Sequence, residues 1–218
     1  MEGSGEATLP LGADEVDVWL FDLDRRPERF AQPARALSPQ EWEQARRFCF
    51  ERDRRRFVAR RAVRRALLAG YTALDPARLR FAPGPQGRPE LASGDVRFSS
   101  SHAYGLGLLA VARGRRVGAD IERIRPVAHA EEIARDVFER EDAAALEALA
   151  PGARLESFFV CWTEREAYVK ATGDGLGQAG HGRAAAGEWS LRRLRPAAGW
   201  VAAVAVEGRG PRLTCRWW

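Results

Sequence analysis

Arg116-Val117-Gly118-Ala119-Asp120-Ile121-Glu122 alternates with a period of two. On a strand, Val117, Ala119 and Ile121 point one way and Gly118, Asp120 and Glu122 the other. Two carboxylates about 7 Å apart along one face can both reach a single hard cation. Gly118 beside them lets a ligand or another backbone come close. The plainer alternative is an amphipathic edge strand whose acids simply face water.

Working outward, residues 96–100 and 106–112 read as two strands joined near His102, with a turn at Gly114 before the acidic strand. Beyond it, helical patterns cover about 129–149 and 154–172, the second closed by Gly173, and β-like runs follow near 188–194, 200–206 and 212–217. Toward the start, residues 1–14 read as a loose tail and 16–23 alternate as a strand. Ser38-Pro39-Gln40-Glu41 opens a helix, with serine as cap, proline in the first turn and glutamate three residues later. Its pattern runs to Leu68 with a break near Phe50, and Gly70 is placed to end it. Residues 78–81 suggest a short strand, and 83–89 a loop punctuated by Gly and Pro. Each half thus runs strand, helices, strands. The expected fold is α+β, built of two similar α+β subdomains, 1–114 and 115–218, with a site where they meet.

Composition narrows the function. The chain has 218 residues, 45% of them hydrophobic and 30% charged, so it can bury a core. No apolar run reaches the roughly 18 residues of a membrane span, and the acidic start lacks a signal-peptide pattern, which points to a cytoplasmic protein. Cys49, Cys161 and Cys215 are odd in number and widely spaced, which excludes a disulfide framework and a CxxC metal site. His102, His129 and His181 are as scattered, against a histidine-rich zinc site. The net charge of +5 favours an anionic partner. Every basic residue is arginine except Lys170, and asparagine is absent, a bias that looks like GC-rich coding. Under that bias, Lys170 marks a place where a compact ammonium is needed and a planar guanidinium fails.

Lys170 has company. Trp162, Glu166 and Lys170 share one stripe of a helix at i, i+4 and i+8, with Phe158, Phe159, Ala167 and Val169 as packing residues on its flanks. Singly, a Glu–Lys pair is ordinary surface decoration worth about 0.3–0.5 kcal/mol.

Val117-Gly118-Ala119-Asp120-Ile121-Glu122 resembles the G-[VI]-D-[IVL]-E motif of the 4′-phosphopantetheinyl transferases. Trp162-Thr163-Glu164-Arg165-Glu166-Ala167-Tyr168-Val169-Lys170 resembles their W-x-x-K-E-A-x-x-K motif, at the expected separation, with Gly173-x-Gly175-Leu176 just after it. The length resembles the monomeric surfactin-synthetase type, similar to two fused copies of the small trimeric holo-acyl-carrier-protein synthase. Two positions depart: Ala119 replaces Val or Ile, and Arg165 replaces the first lysine, in keeping with the coding bias. The resemblance implies a pseudo-twofold between the halves and a monomer with an internal pseudo-dimer. It implies Mg²⁺, with Mn²⁺ an alternative, on Asp120, Glu122 and Glu166, bridging the pyrophosphate of coenzyme A. It also implies a coenzyme A site in the first half. Arg56 would meet the 3′-phosphate with Arg47 nearby, Gly87-Arg88-Pro89 would stand for the G-K-P loop, and Ser101-His102 for an S-H pair, with an imidazolium completing a phosphate cradle.

The implied reaction moves the 4′-phosphopantetheine arm to a serine of an acidic acyl or peptidyl carrier protein, of fatty acid, polyketide or non-ribosomal peptide synthesis, releasing adenosine 3′,5′-bisphosphate. Glu166, or a water it holds, would take the serine proton, and Lys170 would neutralise the departing phosphate and also bind the cofactor. Two other readings compete: a coenzyme A-binding homologue without turnover, and a basic nucleic-acid-binding module using the arginine-rich helix. The second leaves three acids without a task.

Overall fold

The computed structural model describes residues 9–25, 28–173 and 188–218. Strand β1 (Glu15–Asp22) is followed by α1 (Glu28–Ala34), α2 (Pro39–Arg46) and the 22-residue α3 (Glu51–Thr72). A small hairpin, β2 (Phe81–Pro83) and β3 (Pro89–Leu91), leads to β4 (Val96–Ala103) and β5 (Leu106–Arg113). The second half has β6 (Val117–Arg123), α4 (Ala130–Val137), α5 (Arg140–Ala148), the 22-residue α6 (Pro151–Thr172), β7 (Trp189–Leu194) and β8 (Trp200–Glu207). The final strand is β9 (Arg212–Trp217). Among the described residues no helix is long and apolar enough to cross a membrane.

The pairing order repeats. The first sheet runs β4-β5-β1-β9 and the second β6-β8-β7. In each, the opening strand of the half pairs antiparallel with the last strand of its own half, which also takes the strand before it. A 22-residue helix separates opening strand from closing pair in both. Strand β9 breaks the symmetry. It lies at the far end of the chain yet pairs parallel with β1, Val16 opposite Leu213, and so crosses the expected boundary near Gly114.

Alternation along the strands builds the layers. Val16, Val18 and Leu20 of β1 and Leu108, Ala110 and Ala112 of β5 pack against Val117, Ala119, Ile121, Ala202, Val204 and Val206, joining the two sheets face to face. The opposite face of the first sheet carries Phe21, Leu109 and Val111 against Val63, Leu67 and Leu68 of α3. The outer face of the second sheet carries Ala203 and Ala205 against Ala167 and Ala171 of α6. The order is therefore helix, sheet, sheet, helix.

Several expectations need correction. Residues 9–14 are not loose, since Leu9 N–H donates to Gly70 O at 2.7 Å and Leu11 is buried. Gly70 does not end its helix. A Cβ there would lie 2.9 Å from Leu9 Cδ1, so the glycine admits the incoming chain, and the helix stops two residues later with Ala73 left-handed. The helix expected over 129–149 is two helices, because Phe138 is extended and buries its ring against Phe158 at 5.4 Å. His102 does not join two strands; it lies within β4, which continues to Ala103. The break near Phe50 is present, and Ser38 forms a reciprocal cap with Glu41. Helix α1 carried no expectation, and its internal Pro33 argues against a helix in sequence. His181, Gly175 and Leu176 lie outside the described residues.

Candidate active site

The site begins with a contact too close for any side chain. A Cβ on Gly118 would lie 1.9 Å from Ala167 O and 2.4 Å from Ala171 N, so β6 rests directly on the backbone of α6. The close approach that Gly118 allows is thus to a helix of the same chain. Alanines at 167, 171, 203 and 205 keep the surrounding layer equally thin.

That closeness joins the two motifs. Asp120, two residues beyond Gly118, is 4% exposed. Its Oδ1 accepts from Lys170 Nζ at 2.6 Å and from Ser101 Oγ at 2.7 Å. Lys170 Nζ also lies 3.4 Å from Ser101 Oγ and 3.9 Å from Glu166 Oε2. Ser99, on the same strand as Ser101, accepts from Ala119 N–H at 3.0 Å and holds the edge of β6 to β4. Although β6 is an edge strand of its own sheet, its acids do not simply face water: β4 and α6 cover it.

The acids share one electrostatic environment. Burial first, then the neighbouring Asp120, pushes the Glu122 carboxyl up to about 7. Glu166 is raised mainly by burial and secondarily by Asp120, with Lys170 opposing. Asp120 Oδ2 is buried and has no hydrogen-bond partner. Among the described residues no three His, Cys, Asp or Glu side chains are gathered closely enough to hold an ion as they stand. The donor chemistry nonetheless fits a hard divalent cation: every donor is oxygen, one buried oxygen is orphaned, and two acids, Asp120 and Glu166, share a single ammonium.

The first half presents cations to the same region. A pocket of about 270 Å³ is lined by Phe48, Asp53, Arg56, Phe57, Arg60, His102 and Tyr104. Arg56 grips Asp24 with two bonds, Nε to Oδ1 at 2.7 Å and Nη2 to Oδ2 at 2.5 Å, which holds the Asp24 carboxyl below the usual range. Arg60 Nη1 lies 2.7 and 2.8 Å from the two ring nitrogens of His102. Burial, then Arg60, Lys170 and Arg56, pushes His102 down to about 4, so the expected imidazolium is a neutral ring here. Arg88 crosses between the halves, donating from Nη1 to Val169 O at 3.1 Å, one residue before Lys170.

The structure therefore gathers Ser101, Asp120, Glu166 and Lys170 directly, with Glu122, Arg88 and His102 around them. Arg47 stands apart at the end of α2, 74% exposed and 3.8 Å from Glu43. Trp162 stacks on Phe158 at 6.0 Å and belongs to the packing of α6. Cys49, Cys161 and Cys215 are free, and His129 pairs with Glu132 at 3.1 Å. Sequence reasoning missed Asp24, Ser99 and the role of Arg60 against His102. The alternation Ser99, Ser101 was a signal for the first of those serines; nothing local connects Asp24 to Arg56.

The sequence pattern of the 4′-phosphopantetheinyl transferase superfamily matches residues 116–205. The chain is 36% identical to the 4′-phosphopantetheinyl transferase HetI of Nostoc sp., over 93% of this chain and 92% of that protein. It is 30% identical to a phosphopantetheinyl transferase of Thraustochytrium sp., over 80% and 71% of the two chains. Similarity to the 4′-phosphopantetheinyl transferase Sfp of Bacillus subtilis is 27% identity, over 64% and 62%.

Proposed function

The chain belongs to the 4′-phosphopantetheinyl transferase superfamily, and from that premise we propose how its residues divide the work of moving phosphopantetheine from coenzyme A to a carrier protein. In this reaction a serine hydroxyl of the carrier protein attacks the β-phosphate of coenzyme A. The bond to the bridging oxygen breaks, and adenosine 3′,5′-bisphosphate departs.

Asp120, Glu122 and Glu166 would hold Mg²⁺, or Mn²⁺ in its place, and the bound ion would offset the charge of the pyrophosphate. Glu166 accepts the serine proton, directly or through a water; burial has already raised its affinity for one. Lys170 is aimed by Asp120 and Ser101 and neutralises the oxygen that leaves. Arg88, Ser101, His102 and Arg56 form the coenzyme A side, with Arg47 at its outer margin. Such a site works mostly by positioning and charge, as phosphoryl transfer requires. The net charge of +5 suits an encounter with an acidic carrier protein. The repeated strand order supports two subdomains related by a pseudo-twofold; that this internal pseudo-dimer is a monomer working in the cytoplasm is part of the same proposal.

The observation that carries this reading is the meeting of Ser101, Asp120, Glu166 and Lys170 across three elements far apart in sequence. The test is conversion of an apo carrier protein to its holo form, read by mass, with coenzyme A and Mg²⁺. The expected result is addition of one phosphopantetheine arm, lost on chelation and restored by Mg²⁺. Coenzyme A binding without mass gain would instead indicate a homologue without turnover.

A further inference from the structure

Glu41 completes the cap of α2, and its carboxylate has a second set of partners. Its Oε2 accepts from Ser38 N–H at 3.0 Å and from Arg65 Nε at 2.7 Å, and its Oε1 accepts from Arg64 Nη2 at 3.2 Å. Arg61 Nε lies 4.0 Å from Oε1. Three guanidiniums of α3 thus share one acid that is only 7% exposed. Burial opposes its charge, yet the Ser38 N–H and Arg65 hold the Glu41 carboxyl below its usual range. Burial, then Arg61, pushes Arg64 down to about 9.

The same guanidiniums carry the small hairpin. Arg65 Nη1 donates to Pro76 O at 2.8 Å and to Leu79 O at 3.1 Å, in the turn that leads into β2. The guanidinium carbons of Arg64 and Arg65 lie 4.4 and 5.1 Å from the ring centre of Phe81, the first residue of β2. Phe81 in turn packs edge-on against Phe98 of β4, 5.9 Å between ring centres. The hairpin needs such support, because two short strands alone are marginal in water. Its last pair sets Pro83 opposite Pro89, neither with an N–H to give. In its loop stands Arg88, whose Nη1 reaches Val169 O on the last turn of α6.

We propose that Glu41 is a positioning residue for the transfer site: through Arg64 and Arg65 it fixes the β2–β3 hairpin, and with it the reach of Arg88 to the end of α6. The consequence for coenzyme A rests on Arg88 serving the coenzyme A side, as read above. Glu41 itself touches neither the acids nor Lys170. Its charge keeps three crowded guanidiniums together, two of them as the face on which Phe81 rests. Without that charge the guanidiniums repel one another, Phe81 loses its support, and the loop that holds Arg88 comes away from α6.

Hydrogen exchange and calorimetric titration of the full chain with coenzyme A test this without requiring turnover. In wild type the amide of Gly84 donates to Arg88 O at 2.6 Å and that of Ala92 to Arg80 O at 3.0 Å. In Glu41→Gln the protection of both should fall to within about tenfold of an unfolded chain, while amides of β5 stay protected by at least about 10³-fold. Glu41→Gln should weaken coenzyme A binding about tenfold, and less than about twofold when Arg88 is already alanine. A merely structural role would weaken binding equally in both backgrounds. Melting curves show which variants fold; if Glu41→Gln does not, Phe81→Leu, which removes the ring face and keeps an apolar side chain, carries the same expectations. Hairpin amides that stay protected, or losses from Glu41→Gln and Arg88→Ala that simply multiply, overturn the proposal. If the hairpin amides lose protection but Arg88→Ala binds coenzyme A as wild type does, the placement of the hairpin by Glu41 stands and the reading of Arg88 fails.

Discussion

Helices α3 and α6 have the same length and the same place in their halves, yet they sit on their sheets differently. Helix α3 meets the first sheet through Val63, Leu67 and Leu68 against Phe21 and Leu109, a layer of full-sized side chains. Helix α6 meets the second through alanines over Ala203, Ala205 and Gly118, nearly backbone to backbone. Across that thin interface a side chain as short as that of Asp120 reaches the ammonium of Lys170. Across the first, the polar groups that meet the cleft are long arginines from the helix flank, Arg56 and Arg60. One topology thus yields a compact nest of acids in one half and an extended cationic reach in the other. Packing depth, rather than strand order, decides which polar groups each half presents.

The sharpest way to break this contrast is at glycine. Gly118→Ala puts a methyl group onto the carbonyl of Ala167, a backbone atom that cannot rotate away. Its cost should exceed about 3 kcal/mol, a fall in melting temperature of more than about 6 °C, with activity lost. Gly107→Ala in the first half meets the ring of Phe21, a side chain with some freedom to shift, and should cost about 1–2 kcal/mol. Equal losses in calorimetric melting would refute the difference in packing depth.

Next in size is Asp120→Ala. Transfer should fall by at least about 10³-fold, the several kcal/mol that a carboxylate-held divalent ion supplies. The melting temperature should fall by only a few degrees, because relief of the repulsion felt by Glu122 and Glu166 offsets part of the bonds lost from Lys170 and Ser101. Initial rates beside a melting curve decide the matter, and turnover within tenfold of wild type would contradict the metal assignment. Lys170→Arg comes third, with an expected loss of about 10- to 100-fold. A guanidinium cannot place one donor among Asp120 Oδ1, Ser101 Oγ and Glu166 Oε2 as the ammonium does. Full activity would show that the rarity of lysine carried no meaning here.

The smallest effect is the pH dependence that the acidic half adds near neutrality. Glu122 is pushed up to about 7 from an ordinary 4.5, so between those values the folded chain holds a proton that the unfolded chain releases. Its contribution to stability is therefore greatest below pH 4.5 and declines as pH rises through 7. In chelator, the melting temperature should drop by a few degrees between pH 6 and 8, and Mg²⁺ should abolish the drop. No drop would mean that burial and the neighbouring Asp120 do not raise Glu122 as the geometry implies.

Much of this was legible in one dimension. A period of two exposed the face shared by Gly118, Asp120 and Glu122, and helical spacing set Glu166 beneath Lys170, because backbone geometry alone places neighbours within an element. The break near Phe50 and the capping of Ser38 were equally local. By contrast, Phe138 interrupts a helix for the sake of a ring contact with Phe158, and Gly70 continues one because Leu9 must pass. Both are choices made by partners far away in the chain.

From its residues alone this protein determined which side chains share a strand face or a helix stripe and which family pattern they follow, since types and spacings within a strand or helix are local facts. Only the tertiary structure decided who faces whom. It set Asp120 against Ser101 and Lys170, bound Arg56 to Asp24, left Arg60 leaning on His102, and sent β9 back to pair with β1. Those partnerships depend on layer thickness and on burial of charge, quantities that exist only once distant segments have excluded the water between them.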